Sequence, residues 1–319
     1  MTVVFYCQHV LGLGHLMRSL AFERAHDGQR AHQVPEQLPP LAMDEEFSAM
    51  LAEGDVEAVK AARAARLREV MERERPDVFV VELYPFGRRA FEFELVPVLS
   101  AARRGEFGRP RVLCSLRDIL VEKKDPAKYQ ARVLTRLNAL FDGLLVHSDP
   151  SLFPLEETFP EASGIAVPVA YTGFVTEAPS PGAREKVRRE MGLGEGDRLV
   201  VASAGGGKVG SELLFSAVKA YPFGMADDPP RLEIFTGPFL DEEAFQRLRA
   251  DSSAHERIFV SRFSGNFLDI LAAADVSLSL AGYNTTMNVL ASGVPALVWP
   301  FDQNREQRFR AGKLREMGL

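Results

Sequence analysis

The chain has 319 residues, a formal net charge of −6 and 26% charged residues. It carries no dense Lys/Arg block, which speaks against a nucleic-acid binder. Hydrophobic residues make up 46%, enough for two buried cores, while no apolar run approaches the ~18 residues that cross a bilayer.

The length exceeds one ordinary domain, so two are expected. The opening "TVVFYC" is a short apolar strand without the basic start and long apolar core of a secretion signal. A cytoplasmic protein is therefore expected, with peripheral membrane contact still open to it. Cys7 and Cys114 sit in predicted strands and are expected to be reduced core residues. "PDVFVVEL", "RVLCSL", "DGLLVH" and "IAVPVAY" follow as further strands, rich in Val, Leu and Ile with little polar alternation. Helix-like stretches near 15–26, 55–74, 88–104 and 127–140 separate them. Buried strands alternating with helices specify a doubly wound, parallel α/β sheet. "KAARAARLREVMERER" mixes charge signs at helical spacing and reads as a solvated helix face. In "HDGQRAHQVPEQ", where such a domain would place another strand, none is predicted.

"GFVTEAPSPGARE", rich in Pro, Ser and Gly, reads as a linker near 173–184. A second βα series follows it. Its strands are "DRLVVASA", "RLEIFTG", "RIFVSRF", "DVSLSLAG" and "PALVWP", with helices near 184–192, 210–221, 241–250, 266–274, 284–292 and 304–316. The expected division is an N-terminal domain over 1–175 and a C-terminal domain over 176–319.

Polar residues at strand ends are where open α/β sheets bind ligands. In the first domain, "CQHVLGLGHLMRSLAFERA" places Gly12, Gly14 and His15 at a strand-to-helix turn, with Arg18 one turn later. A histidine's ordinary pKa of ~6.5 suits a proton acceptor near neutral pH, and a helix start keeps the imidazole neutral. Glu82, Arg88 and Arg89 follow the second predicted strand, and Arg117 and Asp118 the third. Glu82 and Asp118 are candidate carboxylates toward an acceptor. His147, at another strand end, reads more readily as a packed structural residue.

In the second domain, "VVASAGGGKVGSELLFSAV" is a strand, a loop with Gly205, Gly206, Gly207 and Gly210, and a helix. Glycines let a backbone approach a ligand closely, and helix N–H groups favour a phosphate or pyrophosphate. Lys208 and Ser211 add donors. In "SLSLAGYNTTMNVLASGVPALVWPFDQNREQ" a strand runs into Gly282, and Thr285 and Thr286 open a helix. These threonines read either as helix caps or as a second anion or ribose site. A polar cluster, Asp302 to Gln307, follows the last strand. No Asp-x-Asp motif and no His/Cys spacing suggests a metal, so neither metal nor cofactor is expected.

In combined order these motifs resemble the nucleotide-sugar glycosyltransferases of GT-B architecture, two Rossmann-like domains facing a cleft. They are most similar to glycosyltransferase family 28, which includes the N-acetylglucosaminyltransferase that forms lipid II, and to a related bacterial group. The residues that carry the resemblance are Gly12, Gly14 and His15, the loop "AGGGKVG", the segment "AGYNTTMNVLASGVPA", and Glu306–Gln307. It implies an inverting, metal-independent transfer from a UDP-sugar to a hydroxyl acceptor. It also implies that Gly205, Gly206, Gly207 and Lys208 face phosphate, that the loop near Phe263 holds uracil, and that Gly282, Thr285 and Thr286 hold phosphate or ribose. Glu306 and Gln307 would contact the sugar, His15 would act as base, and Gly12, Gly14, Arg18 and Arg88 would lie on the acceptor side. Asn288 stands where the lipid II enzyme has a glutamate for the ribose, so the uridine preference rests on an uncharged amide. The sequence stops at "LREMGL", and the final crossing helices of the architecture are expected to be absent. Two other readings fit the first turn: a nucleotide-sugar hydrolase of the pseudaminic acid pathway type, whose "G-x-G-H-x-x-R" turn is similar to "GLGHLMR", and a binding protein without catalysis.

Overall fold

The computed structural model describes residues 1–7, 56–121, 123–221 and 229–318. The chain divides into two compact units, Met1–Val175 and Thr176–Leu319.

In the first unit five parallel strands lie in the order β1-β2-β3-β4-β5. They are β1 (Val3–Tyr6), β2 (Val78–Glu82), β3 (Arg111–Arg117), β4 (Gly143–His147) and β5 (Val169–Tyr171). Among the described residues three α-helices lie between them: α1 (Val56–Glu74), α2 (Glu92–Arg104) and α3 (Pro126–Leu140). Phe79, Val81, Leu95, Leu99, Val112, Cys114, Leu116, Leu137 and Val146 form one buried core. α3 starts where its sequence says it should. Pro126 sets its first turn and the Asp125 side chain accepts from Lys128 N–H at 3.1 Å. The predicted strand "IAVPVAY" pairs only over Val169–Tyr171. Pro168 lacks an N–H, so it can only accept, and its carbonyl takes the Leu144 N–H at 2.9 Å.

α1 has the expected solvated face, with Arg68, Glu69, Glu72 and Arg73 exposed, but its other side is buried. Arg63 is buried and donates to both oxygens of buried Glu94, at 2.9 and 2.6 Å. Tyr6 donates to the same carboxylate. Val70 and Met71 are buried too, and the paired arginine ties this helix to α2.

In the second unit the strands are β6 (Leu199–Ser203), β7 (Arg231–Phe235), β8 (Ile258–Ser261), β9 (Val276–Ser279) and β10 (Ala296–Val298). The helices are α4 (Ala183–Glu190), α5 (Ser211–Ala220), α6 (Glu242–Ser252), α7 (Phe267–Ala273), α8 (Tyr283–Ser292) and α9 (Arg305–Glu316). The all-parallel order is β10-β9-β6-β7-β8, so the winding reverses between β6 and β9. Alternation along β6 splits the core in two. Leu199 and Val201 join one cluster with Leu271 and Val289, while Ala202 joins the other with Leu214, Ile234 and Leu248. Burial on both faces explains why these strands read as apolar runs rather than alternating ones.

Candidate functional site

The winding reversal sets the site. Open parallel sheets leave a crevice at the carboxyl ends of the two strands where connections diverge. In the second unit those strands are β6 and β9, paired through Ser203 and Ser279. β6 leads into the glycine loop and β9 leads into Gly282, so two motifs about 75 residues apart in sequence become neighbours. A Cβ placed on Gly205 would lie 3.4 Å from the Thr285 hydroxyl.

The loop's shape admits only glycine at its tightest point. Gly207 has φ +86°, and a Cβ there would come within 2.3 Å of the Thr236 carbonyl. Gly237, beyond the end of β7, is interlocked with it: φ is +82°, and its Cβ would stand 2.3 Å from the Gly205 carbonyl. Phe239 N–H closes the contact on the Gly206 carbonyl at 3.0 Å. Gly237 is a residue that sequence reasoning passed over, because a single glycine after a strand is ordinary. Gly205, Gly206 and Lys208 are exposed beside the loop.

The threonines are not caps. Gly282 occupies the cap position of α8, and no side chain caps the helix. Thr285 and Thr286 are its third and fourth residues. Thr286 N–H already bonds the Gly282 carbonyl at 2.9 Å. The Thr286 hydroxyl is buried without a hydrogen-bond partner among the described residues, and so is that of Ser279 at the end of β9. N–H groups at a helix start and buried hydroxyls with no partner among the described residues are groups that an oxygen-rich anion can bind.

The remaining expected donor residues lie on α8 or follow the carboxyl ends of other strands of the same sheet. Asn288, one turn further along α8, accepts from the Thr176 hydroxyl at 3.2 Å. Phe263 is 60% exposed just past β8. Asn304 caps α9 by accepting from Gln307 N–H at 3.1 Å. Gln307 itself is buried, its side-chain oxygen accepting from Phe301 N–H at 3.0 Å. Glu306 pairs with Arg310 at 2.9 Å, and Arg310, absent from the sequence-derived site, is wholly buried.

In the first unit, Glu82 and Asp118 lie at the carboxyl ends of β2 and β3, both buried. Cys7 donates its thiol to Glu82 at 3.2 Å, so the chain leaves β1 beside this carboxylate. Asp118 accepts from Ile119 N–H at 2.8 Å. Arg88 is half-buried, with φ 57°. His147 is fully buried between two hydroxyls, Ser115 on Nε2 and Thr172 on Nδ1, both at 2.7 Å, which is a packed structural role. Burial pushes the Cys114 thiol well above the ordinary thiol range, with Glu82 adding to the shift, so Cys114 stays protonated. Gly12, Gly14, His15 and Arg18 lie outside the described residues.

Residues 205–318, the stretch that holds the loop, the α8 start and Arg310, match the family model of the glycosyltransferase family 28 C-terminal domain. Among curated relatives the chain is similar to UDP-N-acetylglucosamine--N-acetylmuramyl-(pentapeptide) pyrophosphoryl-undecaprenol N-acetylglucosamine transferase of Carboxydothermus hydrogenoformans. The identity is 31% over 144 residues, 43% of this chain and 36% of the relative. It is also similar to the NDP-glycosyltransferase YjiC of Bacillus subtilis, 26% identical over 267 residues, 80% of this chain and 62% of the relative. The chain thus spans less than two thirds of either relative. Among solved structures, Glycyrrhiza uralensis UGT73P12, complexed with glycyrrhetinic acid 3-O-monoglucuronide, aligns over 98% of this chain and 79% of its own, with TM-score 0.62 and 15% identity. Phytolacca americana UGT2, complexed with UDP-2fluoro-glucose and pterostilbene, aligns over 98% and 83%, with TM-score 0.56 and 16% identity. The fold is GT-B, as the sequence motifs led one to expect.

Proposed function

We propose that the protein is an inverting glycosyltransferase that moves a sugar from a UDP-sugar to a hydroxyl acceptor without a metal ion. The observation that carries this reading is the switch point of the second unit, where a loop that admits only glycine at Gly207 lies near a helix start whose Thr286 hydroxyl is buried and unpartnered among the described residues. The family 28 match over that stretch, and a relative named for a UDP-N-acetylglucosamine substrate, support uridine diphosphate as the guest.

The donor's diphosphate meets the α8 start and the loop at Gly205 to Lys208, with Gly282, Thr285 and Thr286 as its other contacts. Asn288 accepts from Thr176 through its oxygen, which leaves its NH2 to donate to a ribose hydroxyl. Phe263 lies against the uracil, and Glu306 and Gln307 meet the sugar. His15 takes the proton of the acceptor hydroxyl as that oxygen attacks the anomeric carbon. The bond from that carbon to the diphosphate oxygen breaks with its electron pair on UDP. The charge is stabilised by helix N–H groups and the loop. One displacement inverts the anomeric configuration. Glu82, beside the β1 exit, and Asp118, at the end of β3, serve with Gly12, Gly14, Arg18 and Arg88 on the acceptor side.

The test begins with a thermal-shift screen against UDP-, GDP-, dTDP- and CMP-sugars, because a ligand of the folded state raises stability by RT ln(1 + [L]/Kd). A shift with uridine nucleotides alone is expected, and none with any uridine nucleotide overturns the donor assignment. Turnover is then expected only with an added hydroxyl acceptor, unchanged by EDTA. Rapid release of free sugar without acceptor would make the protein a hydrolase. Full turnover by His15→Ala removes the histidine from the mechanism.

A further inference from the structure

The largest fully buried side chain among the described residues is a charged one, Arg310 of α9. Burying a guanidinium is costly unless it is paired and hydrogen-bonded. Its partners are specific. Nη1 donates to the Ala281 carbonyl at 2.6 Å. Nη2 donates to Glu306 Oε1 at 2.9 Å. The guanidinium carbon lies 5.7 Å from the centroid of the Tyr283 ring. Ala281 directly precedes the Gly282 cap of α8, Tyr283 is the first residue of that helix, and Glu306 is the assigned sugar contact. One planar fork therefore holds two elements of the donor site that are 25 residues apart in sequence, Ala281 and Glu306. A lysine, a compact point charge, cannot span both acceptors in this way.

We infer that Arg310 is a positioning residue that keeps the turn receiving the diphosphate in register with the carboxylate meeting the sugar. The inference rests on the UDP-sugar reading above. Arg310 touches no substrate in it; the residue acts through Ala281 and Glu306. Its loss therefore weakens recognition of the diphosphate and the sugar, and leaves recognition of the nucleoside intact.

The test uses Arg310→Lys and the charge-neutral double variant Glu306→Met/Arg310→Met. The double variant avoids stranding a buried carboxylate, which by itself could prevent folding. Each is titrated calorimetrically with UDP and with uridine, and its melting temperature is measured without ligand. In the folded variants, UDP affinity is expected to fall about tenfold or more, the scale of a lost hydrogen bond to a charged group. Uridine affinity stays at the wild-type value, and in turnover KM for the donor rises more than kcat falls. Unchanged UDP affinity overturns the inference, and so does an equal loss for UDP and uridine. Failure of both variants to fold also overturns it, since the arginine is then a determinant of the fold. Wild-type protein that binds no UDP is a separate result, which removes the donor reading and this inference with it.

Discussion

The two ends of the sheet in the second unit are built on opposite plans. At the amino ends of β6 and β9, Asp275 accepts from Leu199 N–H at 2.8 Å, Arg184 at 2.6 Å and Arg188 at 3.2 Å. Arg188 also reaches the Asp197 carbonyl, and the Asp197 carboxylate takes Arg257 at 2.6 Å. At the carboxyl ends of the same two strands, the hydroxyls of Ser279 and Thr286 are buried and unpartnered among the described residues. An unpaired buried hydroxyl costs on the order of 1–3 kcal/mol. Charged groups that satisfy one another hold the sheet together at one end. Polar groups left unsatisfied at the other end are the ones we assign to the donor. The difference separates stability from function within one small sheet.

The largest effect is expected where the functional end cannot yield at all. Gly237→Ala puts a Cβ within 2.3 Å of one backbone carbonyl oxygen and 2.4 Å of a backbone carbon, at φ +82°. Backbone cannot rotate aside as a side chain can. The variant should lose about 3 kcal/mol or more, read as a melting temperature lower by roughly 10 °C. Gly282→Ala is the control. Its Cβ meets nothing within 4 Å, so the fold should stand while UDP binding drops. Equal melting temperatures for the two variants would refute the interlock.

The satisfied end comes next. Asp275→Ala strands Leu199 N–H and two arginines, and should cost about 1–3 kcal/mol in chemical denaturation with UDP affinity unchanged. Partial burial opposes ionisation of Asp275, but the bonds from Leu199, Arg184 and Arg188 outweigh it and hold its carboxyl below the ordinary 3.8. The contribution is therefore complete above that value and fades as pH falls below it. A wild-type acid-unfolding curve that the variant reproduces would contradict this.

How much of this could be read from the chain follows from range. Strand runs such as "LVVAS" and the glycine loop announce themselves locally, since burial on both faces and four glycines in six residues are short-range signals. The order β10-β9-β6-β7-β8 does not, because pairing β6 with β9 skips two strands. Arg310 was hidden for the same reason. It lies in "REQRFRAGKLRE", a stretch as charged as any solvated helix, and its burial comes from Ala281, 29 residues away. Arg63 was hidden likewise, its carboxylate partner lying 31 residues on. A charge pattern shows where solvent is possible, and only tertiary contact shows where it is excluded.

A smaller effect of mixed sign is expected at Thr286. Thr286→Val keeps the shape and removes the unpartnered hydroxyl. Stability should rise by about 0.5–1 kcal/mol, because replacing an unsatisfied polar group by an apolar one is neutral or favourable. UDP affinity should fall in the same protein. A variant that loses stability would show that the hydroxyl has a partner in the free protein, and the contrast between the two sheet ends would weaken.

The smallest effect discriminates most finely. Ser277 and Ser279 are both fully buried, both unpartnered among the described residues, and on the same face of β9. They differ only in depth, Ser277 lying about 7 Å further from the strand's carboxyl end. Burial and lost hydrogen bonding treat the two hydroxyls alike, so both Ser→Ala variants should shift stability by no more than about 0.5 kcal/mol. Nucleotide binding should not treat them alike: Ser279→Ala weakens UDP binding a fewfold, while Ser277→Ala leaves it at the wild-type value. If calorimetry shows the two variants indistinguishable for UDP, an unpaired hydroxyl in this sheet marks loose packing and not a ligand.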